Sequence, residues 1–410
     1  IAVFYFIGIC CFAAIYPNAV HTVYPSYYIS QIIFITGLSS VVNFYGSMAL
    51  QQLLIAEGKA YVISNISLII HILRYISQII LINTGFDVIN VQLAYCLVGC
   101  FQCIFIRGYF KRYYSWFIKT AKPNYTALKQ SNAFLIHQIS YLIFSSTDTF
   151  LLTLFTNLNT VSVYAVYNTV ISAINVFSST LNNALTFVLG HVYYEDRGRY
   201  IKIFDAYNTF YIAAVYTIIT VSYFLYQPFV AFYTQQADIN YSYYGLPLLF
   251  CIIQLLSSAR AVSNNLINIA GHTGRTVPRT LIEAIINLVI SIVAVQIWGI
   301  YGVLIGTICA LVYRTNDIIF YANKIILNRN PKFTYYPFIL NGILFIILTI
   351  LRHYIQIYIM TFNELLIAAI KYGFSIASIF ILLNLLFFHN SVQFIVVEIK
   401  KHIKRKTIIN

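Results

Sequence analysis

Residues 160–190 read TVSVYAVYNTVISAINVFSSTLNNALTFVLG, with no charged side chain anywhere in the run. Asn168, Ser172, Asn175, Ser179, Asn182 and Thr186 recur at intervals of three and four, and Val, Ile, Leu, Phe and Ala fill most other positions. At 100° per residue the six polar groups fall on a helical stripe about 80° wide, and Tyr164 extends it. The length and apolarity suit a bilayer-spanning helix, and the single polar face predicts that the helix lines water.

Eleven further apolar segments surround it, at about 1–16, 27–50, 61–83, 88–106, 131–156, 204–233, 242–269, 281–298, 300–323, 337–358 and 363–389. Hydrophobic residues make up 60% of the 410 and charged residues 9%, which leaves too little polar surface to cover a water-soluble globule. Transmembrane strands would be about ten residues long and alternate apolar with polar. These continuous runs predict an all-α polytopic membrane protein of about twelve visible spans.

The basic residues give the topology. Of 25 Lys and Arg, all but five lie in alternate loops or the C-terminal tail: Lys59; Arg107 to Lys129; Arg197, Arg199 and Lys202; Arg275 and Arg279; Lys324, Arg329 and Lys332; and Lys400 to Lys406. The positive-inside rule places those loops and the C-terminus in the cytoplasm. The net charge of +14 then reflects orientation and attraction to anionic membrane lipids, and no nucleic-acid partner is implied. The first segment lacks the basic start and cleavage pattern of a signal peptide and is read as a truncated span.

The loop from Arg107 to Gln130, with six basic residues and Pro123, reads as a cytoplasmic linker between two lobes. The opposite loops are too short for a catalytic domain. Cys96, Cys100 and Cys103 have the C-x3-C-x2-C spacing of an iron–sulfur motif, but inside an apolar span they pack as small apolar residues. His71 and His137 stand singly and suggest polar lining or proton handling rather than a metal site.

Arg74, Arg260, Arg314, Arg352 and Lys371 fall inside apolar spans. Each costs about 3 kcal/mol at mid-helix, so five facing lipid would offset the stability of a whole domain. Most must face protein, water or an anionic ligand, which predicts an internal hydrophilic cavity. Polar stripes support it: His137, Tyr141, Ser145 and Asp148 in one span, Ser64, Ser67, His71, Arg74 and Gln78 in another, and Gln254, Ser257, Arg260, Asn264 and Asn268 in a third. Asp148 is the candidate ion-coupling residue. Arg314 has Asp317 one turn away as a structural partner, and Arg352 and Lys371 lie near a membrane surface where long side chains snorkel.

Several motifs, taken in order, resemble the Wzx-type polysaccharide repeat-unit flippases of the multidrug/oligosaccharidyl-lipid/polysaccharide exporter superfamily. They are Ser146-Thr147-Asp148-Thr149-Phe150-Leu151-Leu152-Thr153, Val161 to Asn168, Ala270-Gly271-His272-Thr273, Ile282-Glu283-Ala284-Ile285-Ile286-Asn287-Leu288, and Trp298 to Thr307.

The resemblance implies a two-lobed transporter fold of fourteen helices, of which this chain holds the third to the fourteenth. The N-terminal lobe and linker then occupy 1–129, a six-helix lobe 130–330, and a final hairpin with a basic tail 331–410. It implies no enzyme and no cofactor or metal, but alternating-access translocation of undecaprenyl-diphosphate-linked oligosaccharide across a bacterial cytoplasmic membrane for surface polysaccharide biosynthesis. The coupling ion would be H+ or Na+, and membrane lipids and polysaccharide polymerase machinery would be the partners. Expected substrate contacts are Arg74, Arg260, Arg314 and Lys371 for the diphosphate and Asn168, Ser172, Asn175, Ser179 and Asn182 for sugar hydroxyls. The alternatives are a cation-coupled drug or small-molecule exporter, which favours intramembrane carboxylates, and a membrane glycosyltransferase or polymerase, which needs a substantial catalytic loop.

Overall fold

A computed structural model describes residues 2–19, 25–114, 131–235, 238–355, 357, 359–389 and 393–394. Most of the linker and the basic tail at 400–406 lie outside the described residues. Within them every regular element is helical: α1 (Ala2–Ala19), α2 (Ser26–Gly46), α3 (Met48–Ala56), α4 (Ala60–Asn83), α5 (Val88–Tyr113), α6 (Ser131–Phe155), α7 (Leu158–Glu195), α8 (Arg197–Tyr233), α9 (Leu246–Ala259), α10 (Ala261–Ile269), α11 (Thr273–Trp298), α12 (Ile300–Phe320), α13 (Lys332–His353) and α14 (Phe362–Phe387). A π-helical turn, Tyr321–Ile326, continues α12. Ten helical spans among the described residues are long and apolar enough to cross a membrane; α1 and α6 supply the other two predicted segments.

The chain forms two compact units, Ile1–Pro123 and Asn124–Asn410. In the first, α1 packs on α2, and α5 packs on both α2 and α4. In the second, α11 packs on α6 and α12, while the hairpin of α13 and α14 lies against α8. The core of this second unit is rich in tyrosine: Tyr167, Tyr200, Tyr211 and Tyr226 are all fully buried. Their hydroxyls are tied inward where a carbonyl is available, as in Tyr226 donating to the Tyr167 carbonyl at 2.5 Å.

Two predicted spans are interrupted. The segment read as 27–50 breaks at Ser47, and that read as 242–269 breaks at Arg260. A break in a membrane helix frees carbonyls that lipid cannot solvate, and here neighbouring side chains meet them. Arg107 Nε donates to the Gly46 carbonyl at 2.9 Å, and the Thr315 hydroxyl to the Leu256 carbonyl at 3.0 Å. The same logic accounts for Arg352. Pro228 inside α8 has no N–H to offer the Phe224 carbonyl, and Arg352 Nε donates to that oxygen at 3.0 Å.

Close helix approach fixes the glycines of α12. A Cβ on Gly306 would lie 2.1 Å from Ser291 Oγ, and one on Gly302 would lie 2.1 Å from the Ala294 carbonyl oxygen. The small-xxx-small pair therefore sets α12 directly onto α11. This contact brings the buried polar groups of the two helices into register.

Candidate functional site

The polar face of α11 organises the second unit. Thr276, Thr280, Glu283, Asn287 and Ser291 are all buried and recur at intervals of three and four, so they share one helical face. One end of this stripe meets three arginines, and the other meets Asp148.

At the first end, Arg260 Nη1 lies 2.6 Å from Glu283 Oε1, and Arg314 Nε lies 3.4 Å from Glu283 Oε2. Arg314 Nη1 is 2.6 Å from Asp317 Oδ2, whose other oxygen is 2.6 Å from Arg279 Nη1. Three guanidinium groups thus share two carboxylates and leave one positive charge. Arg314 and Glu283 have side chains only 4% and 8% exposed. A cavity of about 360 Å3 opens beside them, lined by Arg260, Glu283, Arg314, His137, Thr280 and Asn182, among others. Arg260 occupies the helix break, so its backbone as well as its side chain is placed there by the interruption. Broken helices are where membrane transport proteins concentrate ligand contacts.

At the second end, Asp148 is 5% exposed. The Thr307 hydroxyl is 2.9 Å from its Oδ1 and 3.1 Å from its Oδ2, and the Tyr164 hydroxyl is 3.2 Å from Oδ2. Asn287 Nδ2 donates to Thr307 Oγ1 at 2.9 Å. Asn287 Oδ1 is buried without a hydrogen-bond partner. Nearby on the same helix pair, Ser291 Oγ donates to the Val303 carbonyl at 3.3 Å. Among the described residues no basic side chain bonds to Asp148, so its carboxyl group sits against hydroxyl oxygens, with the Asn287 amide one bond behind Thr307. That donor set suits a hard cation. No group of three His, Cys, Asp or Glu suited to a metal occurs among the described residues.

The predicted site residues separate in this structure. Arg260, Arg314, His137 and Asn182 line one cavity. Asn182 is also bonded there by Asn265 Nδ2, at 3.0 Å to its side-chain oxygen. Ser172, Asn175 and Ser179 are exposed within the second unit and Asn168 is half-buried, so the α7 stripe continues beyond the cavity. Asp148 shares a sequence stripe with His137 and Tyr141, but it is buried in the helix packing while those two line the cavity. Lys371 stands exposed on α14, its ammonium 5.9 Å from the Tyr372 ring, and does not line this cavity. Arg74 belongs to the first unit. Its guanidinium lies over the Tyr95 ring at 4.2 Å and bonds the Tyr95 hydroxyl at 3.2 Å. Gly99 leaves it room, since a Cβ there would be 2.1 Å from Arg74 Nη2.

Arg260, read in the sequence without a partner, is paired with Glu283, and Arg314 meets Glu283 in addition to the expected Asp317. Sequence reading missed Glu283 as a partner because it sits near the start of an apolar segment, where an acid passes for a loop residue. The signal was its spacing: Thr280, Glu283 and Asn287 fall on one face.

No family model matches the sequence, and no curated protein matches it. Two solved structures are similar in fold. The lipid II flippase MurJ, in an inward closed conformation, has a TM-score of 0.63 at 12% identity, over 94% of this chain and 82% of that one. A crystal structure of MATE in the bent conformation has a TM-score of 0.55 at 14% identity, over 86% of this chain and 77% of that one. At such identities the likeness establishes the fold. The chain is an all-α polytopic membrane protein that shares its fold with those two structures.

Proposed function

We propose that the chain is a flippase that moves lipid-linked oligosaccharide, carried on undecaprenyl diphosphate, from the inner to the outer leaflet of a bacterial cytoplasmic membrane, with its C-terminus in the cytoplasm. One observation carries the reading: three guanidinium groups share two carboxylates beside a cavity inside a membrane-spanning unit. A surplus cation held away from water favours an anionic ligand, and Arg grips phosphate oxygens in bidentate fashion. The incoming diphosphate replaces Glu283 on Arg260, an exchange of one anion for another that avoids baring a buried cation. Exposed polar groups on α7 suit sugar hydroxyls, and the polyprenyl chain stays in lipid.

The Asp148 cluster supplies the coupling ion site in this reading. Its oxygens are neutral apart from one carboxylate, which favours Na+, and α11 links it to the arginines because Asn287 follows Glu283 by one turn. The Asp148 cluster also suits a cation-coupled exporter, the second reading, but an excess of guanidinium over carboxylate favours an anionic cargo.

The test is genetic. Arg260→Ala and Arg314→Ala, expressed at normal levels, should abolish surface polysaccharide and leave lipid-linked repeat units on the inner leaflet, while Arg260→Lys restores export in part. Normal export by both alanine variants removes the reading.

A further inference from the structure

The arginine cavity contains a titratable group that no charge balance needs. His137 Nε2 lies 3.0 Å from the Thr273 carbonyl oxygen, and its Nδ1 lies 3.0 Å from Thr280 Oγ1. A carbonyl oxygen can only accept, so Nε2 carries hydrogen whatever the charge of the ring. The Thr276 hydroxyl, 3.4 Å from the same nitrogen, donates instead to the Thr273 carbonyl at 2.9 Å. Nδ1 is therefore the nitrogen that gains and loses the proton.

Thr280 connects that nitrogen to the arginines. Arg314 Nη2 donates to Thr280 Oγ1 at 2.9 Å, and Oγ1 also lies 3.2 Å from the Thr276 carbonyl. When the ring is neutral, the Thr280 hydroxyl donates to Nδ1. When Nδ1 is protonated it donates to Oγ1, and the hydroxyl hydrogen turns to the Thr276 carbonyl. Both arrangements are fully bonded without movement of a heavy atom. Protonation places a second cation one hydroxyl away from Arg314.

We propose that His137 takes up a proton when a diphosphate seats in the cavity, so that anion binding and protonation strengthen each other through Thr280 and Arg314. The inference rests on the anionic-cargo reading of the same cavity. The charged groups around the ring are Glu283 and Arg279 from α11, Arg314 and Asp317 from α12, and Arg260 at the break between α9 and α10; α7 contributes the neutral Asn182. This set carries one surplus positive charge. A diphosphate reverses that sign, and by linkage the proton must then favour the diphosphate equally. Histidine is the side chain suited to this exchange near neutral pH.

The experiment uses the full chain in detergent and UDP-N-acetylglucosamine as the probe, because its diphosphate diester carries no titrating proton near neutrality. Calorimetry in buffers of different ionisation enthalpy counts protons taken up per probe bound. Wild type should take up a fraction of a proton at about pH 7.5, and its affinity should fall as pH rises, by at most about tenfold per pH unit. His137→Gln keeps a donor for the Thr273 carbonyl and removes the titration, so it should bind with no uptake and a flat pH profile. Thr280→Val breaks the relay while keeping the ring, and should reduce the uptake. Binding by wild type without proton uptake, or equal uptake in His137→Gln, overturns the proposal and leaves the anion site standing. Failure of the wild type to bind the probe at all overturns both the anionic-cargo reading and this inference.

Discussion

The two ends of the α11 stripe have opposite electrostatic deficits. Around Glu283, three guanidinium groups share two carboxylates; beside Asn287, one turn further on, Asp148 of α6 is held by Thr307 and Tyr164 with no basic partner among the described residues. A buried cluster with surplus positive charge favours an anion, and one with a lone carboxylate favours a cation. Membrane interiors make such imbalances costly, and the proposed function answers them with an anion at the first cluster and a cation at the second. On that proposal α11, which supplies Glu283 to one cluster and Asn287 to the other, is the route by which one ligand senses the other.

The comparison predicts unequal costs within the arginine cluster. Glu283→Ala leaves Arg260 without its carboxylate and makes Arg314 and Arg279 share Asp317, and it should destabilise the protein by about 3 kcal/mol. Arg314→Met leaves two intact pairs, Arg260 with Glu283 and Arg279 with Asp317, and should cost about 1 kcal/mol. Thermal unfolding in detergent ranks the two variants. A larger loss for Arg314→Met would mean that the cluster lacks a surplus of cations.

At the other end, sodium should stabilise the wild type by about 2–3 kcal/mol at a hundredfold excess over its dissociation constant. Potassium and choline should do so less. Asp148→Asn should unfold at the same temperature in all three salts, since the amide keeps the Thr307 and Tyr164 neighbours but loses the charge. A sodium response that survives in Asp148→Asn would break the contrast by moving the cation elsewhere.

A balanced pair serves as the control. Arg329 bonds Asp205 through both terminal nitrogens, at 2.7 and 2.6 Å, and Asn323 through Nε at 2.9 Å. This clamp joins α8 to the π-turn and to the loop that precedes α13. Arg329→Ala should lower stability by about 2 kcal/mol while leaving the sodium response and probe binding unchanged, as unfolding and binding titrations would show.

Much of this was legible in the sequence, for definite reasons. Continuous apolar runs predict spanning helices because lipid demands internally bonded backbone, and the structure has ten such spans among the described residues. The Arg314–Asp317 pair followed from spacing alone, because groups three apart meet on a helix. The breaks at Ser47 and Arg260 were not legible, because they depend on carbonyl partners from other helices, Arg107 and Thr315. The role of Arg352 escaped for the same reason: Pro228, whose missing N–H it compensates, lies on a different element. The buried Asp148 cluster needed α12 set against α11, and Gly302 and Gly306 allow that contact without revealing which hydroxyl it delivers.

The smallest effect is expected in the first unit at Lys59 and Glu57, a pair that is balanced and partly exposed. Tyr114 at the end of α5 donates to Glu57, and Lys59 bonds both, at 3.1 Å to Glu57 and 3.0 Å to the Tyr114 hydroxyl. The hydrogen bond from Tyr114, then that from Lys59, holds the Glu57 carboxyl below its ordinary value of 4.5. The bond to Tyr114, then that to Glu57, pushes the Lys59 ammonium above its ordinary range. A lowered carboxyl contributes stability above its unfolded value that fades as pH falls through the folded one; a raised ammonium contributes below its unfolded value and loses it as pH rises through the folded one. The latch between the α3–α4 turn and α5 should therefore hold across neutral pH and loosen as pH falls below the ordinary carboxylate range and again at strongly alkaline pH. Amide exchange at Gly58 and Lys59 would report it, with Tyr114→Phe speeding exchange at neutral pH severalfold at most, as suits an exposed pair. Exchange that is flat from pH 3 to neutrality, once corrected for its intrinsic rate, would show that the turn is held by backbone bonds alone, such as that from the Lys59 amide to the Leu54 carbonyl at 2.8 Å.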